Sequence, residues 1–141
     1  MSSITAAVAD VDVRELADKF IVFLETGEAP EGLFDPQVFL DFTTPRWRVQ
    51  ALGAEDTVRG RRSGHPTPGR VPRHRLDRTP TGFVLEVEEQ WDQDGDSWYC
   101  RELFRMDVGP CGISQLTVYC TGDWDSARVA EHRKQVQLIR P

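Results

Sequence analysis

Cysteine is scarce in this chain, and the three present, Cys100, Cys111 and Cys120, make an odd count. No CxxC and no Cys/His spacing of a zinc site accompanies them, which argues against a disulfide scaffold, a haem attachment or a structural metal centre. Three reduced, buried thiols in a cytoplasmic protein are expected, with no metal and no cofactor. Long apolar runs are lacking as well: none approaches the roughly 18 residues of a membrane helix. Met1-Ser2-Ser3 opens without the basic region and apolar core of a secretory signal, so no membrane partner is expected. There is no phosphate-cradling glycine loop, no GxSxG and no HExxH. Asp92, Asp94 and Asp96 surround Gly95, but the glycine position and distal glutamate of a calcium loop are missing, and a plain hairpin turn is the simpler reading.

What is present is a chain of 141 residues, 39% hydrophobic and 28% charged, which suits one globular domain. Residues 1–11 read as a flexible arm and 12–141 as the domain. The net charge is -6, yet residues 46–78 hold nine arginines (46, 48, 59, 61, 62, 70, 73, 75, 78) against Glu55, Asp56 and Asp77. Trp47 is the only aromatic in that stretch, so the interleaving of a nucleic-acid surface is absent and no nucleic acid is expected. A solvated face, an anionic small molecule or an acidic protein partner remain for the arginines.

Periodicity lays out the elements. Asp12 can cap a helix in which Val13, Leu16, Ala17, Phe20, Phe23 and Leu24 form one apolar stripe, ended by Gly27. Pro30 to Pro36 reads as a turn, Val38–Phe42 as a strand, and Trp47–Leu52 as its continuation after Pro45. Ala54–Arg62 is a short polar helix ending near Gly64. His65 to Pro72, HPTPGRVP, is expected to be an extended loop and a candidate lid. Strands follow at about 73–78, 83–91, 97–108 and 113–121, then a short helix over 126–135. Helices first and an antiparallel meander afterwards predict an α+β domain.

The hairpin of residues 83–108 carries the chemistry. With Asp92 opposite Ser97 across the four-residue loop 93–96, one face collects Phe83, Leu85, Val87, Trp91, Trp98, Cys100, Phe104 and Met106. A slip by one residue would mix the faces. Two carboxylates interrupt this apolar face, Glu89 and Glu102, diagonal neighbours roughly 7 Å apart at the backbone. A buried carboxylate must find a partner or take a proton, and a neutral carboxyl is what a general acid or hydrogen-bond donor requires. Pairing of each with an arginine from 46–78 is the structural alternative. His74 shares a strand face with Leu76 and is a second candidate for moving protons. His65 and His132 read as surface residues. Leu116, Val118 and Cys120 form the apolar side of the last strand, which leaves Tyr119 on the other side as an interface residue.

The order of elements resembles the nuclear transport factor 2-like superfamily. The resemblance runs from about residue 12 to 125. Its patches are Phe23-Leu24-Glu25-Thr26-Gly27 with Leu33-Phe34-Asp35-Pro36, then Glu102-Leu103-Phe104-Arg105-Met106, and Tyr119-Cys120-Thr121-Gly122-Asp123-Trp124-Asp125. It implies a cone: a strongly curved mixed or antiparallel sheet wrapped around N-terminal helices, with one central pocket, and commonly a homodimer. The superfamily includes ketosteroid isomerase, scytalone dehydratase, limonene epoxide hydrolase, SnoaL-like polyketide cyclases and non-catalytic binding modules. The protonated oxyanion-hole aspartate of ketosteroid isomerases falls at Glu102, their oxyanion tyrosine at Phe20, and their general base near Asp41 but one residue out of step. The Arg-x-Asp strand motif of the epoxide hydrolases reads Val87-Glu88-Glu89 here.

The expectation is therefore a cofactor-independent acid–base enzyme, of isomerase, cyclase or dehydratase type, acting on a hydrophobic carbonyl compound. Glu102 is the donor, Glu89 or His74 moves the proton, and Asp41 is a reserve base. Trp91, Trp98, Phe104, Phe20, Val87 and Val118 line the pocket. An acidic carrier protein is a candidate partner for the arginines. A non-catalytic binding or dimerisation module of the same fold is the alternative; it predicts both glutamates locked to arginines and no cavity above about 300 Å³.

Overall fold

The computed structural model describes residues 12–141; the arm assigned to residues 1–11 lies outside the described residues. Helix α1, Val13–Thr26, begins where the Asp12 carboxylate accepts hydrogen bonds from the backbone N–H groups of Arg14 and Glu15. It ends at Gly27, whose left-handed backbone (φ 78°) closes a hydrogen bond back to Phe23 O. The apolar stripe expected from the spacing is the buried face: Val13, Leu16, Ala17, Phe20, Phe23 and Leu24.

Strand β1 spans Phe34–Thr43 and β2 spans Arg48–Leu52. The second does not prolong the first. Thr44 Oγ1 accepts from the N–H groups of Arg46 and Trp47, the chain reverses around Pro45, and β2 returns antiparallel with Phe42 beside Val49. Helix α2, Ala54–Gly64, follows. Strand β3, Gly69–Arg78, starts earlier than the three prolines suggested, so the loop shrinks to about 65–68. Pro72 is tolerated because β3 is an edge strand with an irregularity between Arg70 and Arg73.

Strands β4, Gly82–Gln93, and β5, Asp96–Gly109, pair with Trp91 opposite Trp98, Glu89 opposite Cys100, Val87 opposite Glu102 and Phe83 opposite Met106. The ladder continues to Gln93 and Asp96, leaving a two-residue turn in which Asp94 (φ 54°) and Gly95 (φ 77°) are both left-handed. That is the twist-matched hairpin turn which Asp-Gly favours. Strand β6, Gly112–Cys120, pairs antiparallel with β5 and parallel with β1, and helix α3 covers Ser126–Gln135.

Among the described residues these elements form one mixed six-stranded sheet in the order β2-β1-β6-β5-β4-β3, with three helices. Helix α1 packs against the β3–β4 side and α2 against β1 and β2. The core lies between α1 and the sheet, with Phe20, Leu33, Val38, Phe83, Leu85, Met106 and Ile113 fully buried. The opposite sheet face carries ion pairs (Arg73–Glu88, Arg101–Glu86, Arg48–Asp41) together with exposed Leu103 and Tyr119, which sit side by side on β5 and β6. No helix among the described residues is long and apolar enough to cross a membrane.

Candidate active site

Between α1, α2 and the β1–β6–β5 part of the sheet the structure leaves a cavity of about 1260 Å³, open at its mouth. It exceeds the few hundred to about 1,000 Å³ of ordinary ligand pockets because it runs out into a groove beside β2. Phe20, Phe23, Leu24, Leu40, Phe104 and Val118 are part of its apolar wall. Glu102 interrupts that wall.

Strand alternation brings Glu89 and Glu102 to the concave face, 3% and 4% exposed. Their surroundings then separate them. Arg61, in the last turn of α2, forks onto Glu89 (Nη2 to Oε1 2.5 Å, Nη1 to Oε2 3.1 Å) and also donates to Leu24 O at the end of α1. Burial alone would push the Glu89 carboxyl up, but the hydrogen bonds from Glu102 and Arg61 and the guanidinium charge hold it below the usual carboxylate range. Glu102 has no arginine of its own. Burial pushes its carboxyl well above that range, and the adjacent Glu89 charge adds to the effect. The pair is thus one ionised carboxylate, fixed by Arg61, accepting a hydrogen bond from one neutral acid that faces the cavity. The arginine alternative raised from the sequence holds for Glu89 and fails for Glu102.

The other candidates fall elsewhere. His74 is exposed on edge strand β3, opposite Val87, and does not line the cavity. It shares the inner face with Leu76, as alternation predicts, but Leu76 is half-buried against the core while His74 stands exposed at the sheet edge. Asp41 lies between the cavity-lining Leu40 and Phe42, so it points to the other sheet face, where Arg48 grips both its oxygens at 3.0 and 2.7 Å. Phe20, Phe104 and Val118 line the cavity; Val87, Trp91 and Trp98 do not. Trp91 stands behind His65 at 4.6 Å between ring centroids, and Trp98 stacks on Trp91.

Four functional groups at the wall were not singled out from the sequence. His65, read as a surface residue, is half-buried: its N–H closes the end of α2 onto Arg61 O, and its ring enters the cavity wall. Burial and the Arg61 charge lower its pKa to about 4, so the ring is neutral. Asp123, just after β6, sits at the cavity edge with its carboxyl raised by partial burial and by the Glu89 charge. Thr57 of α2 lines the cavity at 2% exposure, and its hydroxyl has no hydrogen-bond partner among the described residues. Cys120 also lines it, so the expectation of three buried thiols needs correction: Cys100 is buried, Cys120 half-buried and Cys111 exposed. Only the run Tyr119–Asp125 hinted at Cys120 and Asp123, while nothing local in the sequence marks His65 or Thr57.

Cys100, Glu102 and Cys120 offer ligand atoms within 4.8 Å of one another, close enough for a soft cation. Binding one would require the protons of Glu102 and Cys100, both of which burial holds in place. The cluster is an acid hydrogen-bonded to one buried thiol, Cys100, with Cys120 beside it.

The shape has relatives. An NTF2-like protein from Anabaena variabilis superposes with a TM-score of 0.66 at 19% identity, over 86% of this chain and 92% of that one. The fold is NTF2-like. A putative polyketide cyclase from Pseudomonas putida matches the same NTF2-like cone with a TM-score of 0.61 at 13% identity, over 86% of this chain and 97% of the other. An LEH-like epoxide hydrolase of M. tuberculosis matches with a TM-score of 0.60 at 11% identity, over 77% and 81%. No family model and no curated protein matches the sequence. NTF2-like architecture is thereby established for this chain, and its chemistry rests on its own cavity.

Proposed function

We propose that this NTF2-like domain is a cofactor-independent acid–base enzyme that enolises, and so isomerises, cyclises or dehydrates, a hydrophobic carbonyl compound. One observation carries the proposal: the Glu102 carboxyl is buried in the wall of an otherwise largely apolar cavity with no arginine fork of its own among the described residues, an environment that pushes it towards the neutral acid. A substrate carbonyl entering the cavity competes with Glu89 for the Glu102 proton, and the negative charge that develops on its oxygen strengthens that hydrogen bond. Glu89, held by Arg61, keeps the proton on Glu102. Asp123 takes the α-proton, because a carboxylate raised by burial is a stronger base than an ordinary one. His65, neutral, serves as a hydrogen-bonding wall group. The solved cyclase and epoxide hydrolase of the same shape support an enzymatic reading in general terms.

Arg46, Arg59 and Arg128 rim the mouth with exposed Trp47, Val49 and Leu52. That mixture suits a substrate with an anionic tail, including one presented by an acidic carrier protein in the cytoplasm. Exposed Leu103 and Tyr119 on the outer sheet face favour a homodimer, which sedimentation would report as twice the 16.0 kDa chain mass. The test of the chemistry is exchange of the α-protons of 2-tetralone in deuterated buffer, followed by NMR. Exchange above the buffer rate is expected, with a loss on the order of a hundredfold or more in Glu102→Ala and a smaller loss in Glu102→Gln, which retains an N–H donor. Equal losses in the two variants would remove the donor role. Absence of exchange would favour the binding-module reading.

A further inference from the structure

Glu102 shares the cavity wall with a group the acid–base reading leaves idle. Cys120 is directly opposite Glu102 on the neighbouring strand, and its sulfur accepts the Gly122 N–H at 3.4 Å. Cys100, fully buried, turns its single proton to Glu102 Oε1 at 3.6 Å. The two thiols are not a disulfide in waiting. Because Cys120 pairs with Glu102, Cys100 stands two residues out of register, and such diagonal partners lie roughly 7–8 Å apart at the backbone, past the usual reach of a disulfide. Cys120 is the thiol that meets the cavity. Contact with Cys100 and the Gly122 N–H outweigh burial and lower the Cys120 thiol below its ordinary value, whereas the same contact, with burial, raises Cys100.

A nucleophilic sulfur and an acid within 4.8 Å of each other, on one wall of an apolar cavity, match a ligand with an electrophilic carbon a few bonds from a carbonyl oxygen. We propose that Cys120 is a nucleophilic site for α,β-unsaturated carbonyl compounds, which add to its sulfur while Glu102 protonates their oxygen. The inference rests on the donor role of Glu102 in the function proposed above and adds to it a substrate class, the enones and enals. In the step the thiolate forms a bond to the β-carbon and the carbon–carbon π pair moves towards the carbonyl. The oxygen takes the Glu102 proton to give an enol. Return of that proton to Glu102 and protonation of the α-carbon from Asp123 or water leave a saturated thioether ketone. The thiol proton passes to Asp123 or to solvent, and no oxidant or reductant is consumed.

The experiment uses the full chain with exposed Cys111 changed, Cys111→Ser, and two probes: 2-cyclohexen-1-one, which needs an oxygen acid, and iodoacetamide, which does not. Intact mass and peptide mapping are expected to place one cyclohexenone adduct on Cys120. Glu102→Ala should slow that adduct on the order of a hundredfold, and Glu102→Gln by less, while iodoacetamide labelling of Cys120 changes by about twofold at most. Circular dichroism and the iodoacetamide rate identify any variant that fails to fold, and Glu102→Gln stands in if Glu102→Ala does. A cyclohexenone adduct absent from Cys120, or one whose rate ignores both Glu102 variants, overturns the inference. Protection of Cys120 by added zinc without any enone adduct overturns it too. Tetralone exchange in the parent chain separates the two claims: exchange without an enone adduct defeats this inference alone, and an enone adduct without exchange defeats the enolising function.

Discussion

The two ends of the concave sheet face are built by the same alternation and have opposite contents. At the closed end, beside the β5–β6 turn, Phe83, Leu85, Met106, Val108, Ile113 and Leu33 pack at 0–2% exposure with no polar side chain among them. Towards the β4–β5 turn the same rows continue as Glu89, Cys100, Glu102 and Cys120, joined by Arg61 of α2 and by His65 just after it. The closed end meets the apolar stripe of α1. The open end meets the end of a polar helix and empty space. Glu89, Cys100 and Glu102 are buried about as deeply as the closed end, so burial alone does not separate scaffold from site. The partner across the gap does, since it decides whether an acid is ionised, as Glu89 is, or neutral, as Glu102 is.

The largest effect should come from cutting the open end's one strong contact. Arg61→Met leaves Glu89 buried and unpaired and is expected to cost about 3–5 kcal/mol in urea denaturation. Adding Glu89→Gln to it should restore most of the loss, since a neutral amide carries no charge to strand. If the double variant is as unstable as the single, the pair is not what holds α2 to the sheet. At the closed end Met106→Ala should cost about 2–5 kcal/mol as a cavity, with no change in how stability depends on pH.

How much of this was written in the sequence follows the same division. The register of β4 and β5 was readable because Asp94-Gly95 selects the turn and any one-residue slip would bury charge. That placed Glu89 and Glu102 together on the inner face. The helix stripe from Val13 to Leu24 was readable for the same reason, a period that only one structure satisfies. Arg61, His65 and Asp123 were not readable in these roles. Each reaches the site through the docking of α2 or the end of β6 against the sheet, and no local pattern encodes such contacts. Pro72 misled in the other direction, because a proline signals a loop unless the strand proves to be an edge. His74 was lost to that edge.

A smaller effect sharpens the contrast between the two acids. Glu102 keeps its proton in the fold to a pH well above the 4.5 of an exposed glutamate. Over the interval above 4.5 the unfolded chain therefore holds fewer protons than the folded one, and stability falls as pH rises. Glu102→Gln removes that penalty. It is expected to raise Tm at pH 7–8 on the order of 3 °C and to change nothing near pH 4, even as it lowers activity. Glu89 has the opposite sign: its stabilisation is present above the ordinary carboxylate pKa and is lost as acid protonates it. A Tm gain for Glu102→Gln that persisted at pH 4 would mean that packing, not the proton, is the cause.

The smallest effect belongs to His65. Its ring is held neutral down to about pH 4 by burial against Trp91 and by Arg61, while the unfolded ring takes a proton near 6.5. Between those two values the unfolded chain binds the extra proton, so stability falls as pH drops from 6.5 towards 4 and is fully present above 6.5. His65→Gln should flatten that part of the profile by roughly one proton's worth of slope and leave stability at pH 8 within about 1 kcal/mol of the parent. Thermal unfolding followed at half-unit pH steps measures it directly. An unchanged slope would mean that the ring swings out to solvent and protonates there. The open end would then lose its neutral histidine in mild acid, leaving Arg61 and the neutral Glu102 to form that part of the wall without it.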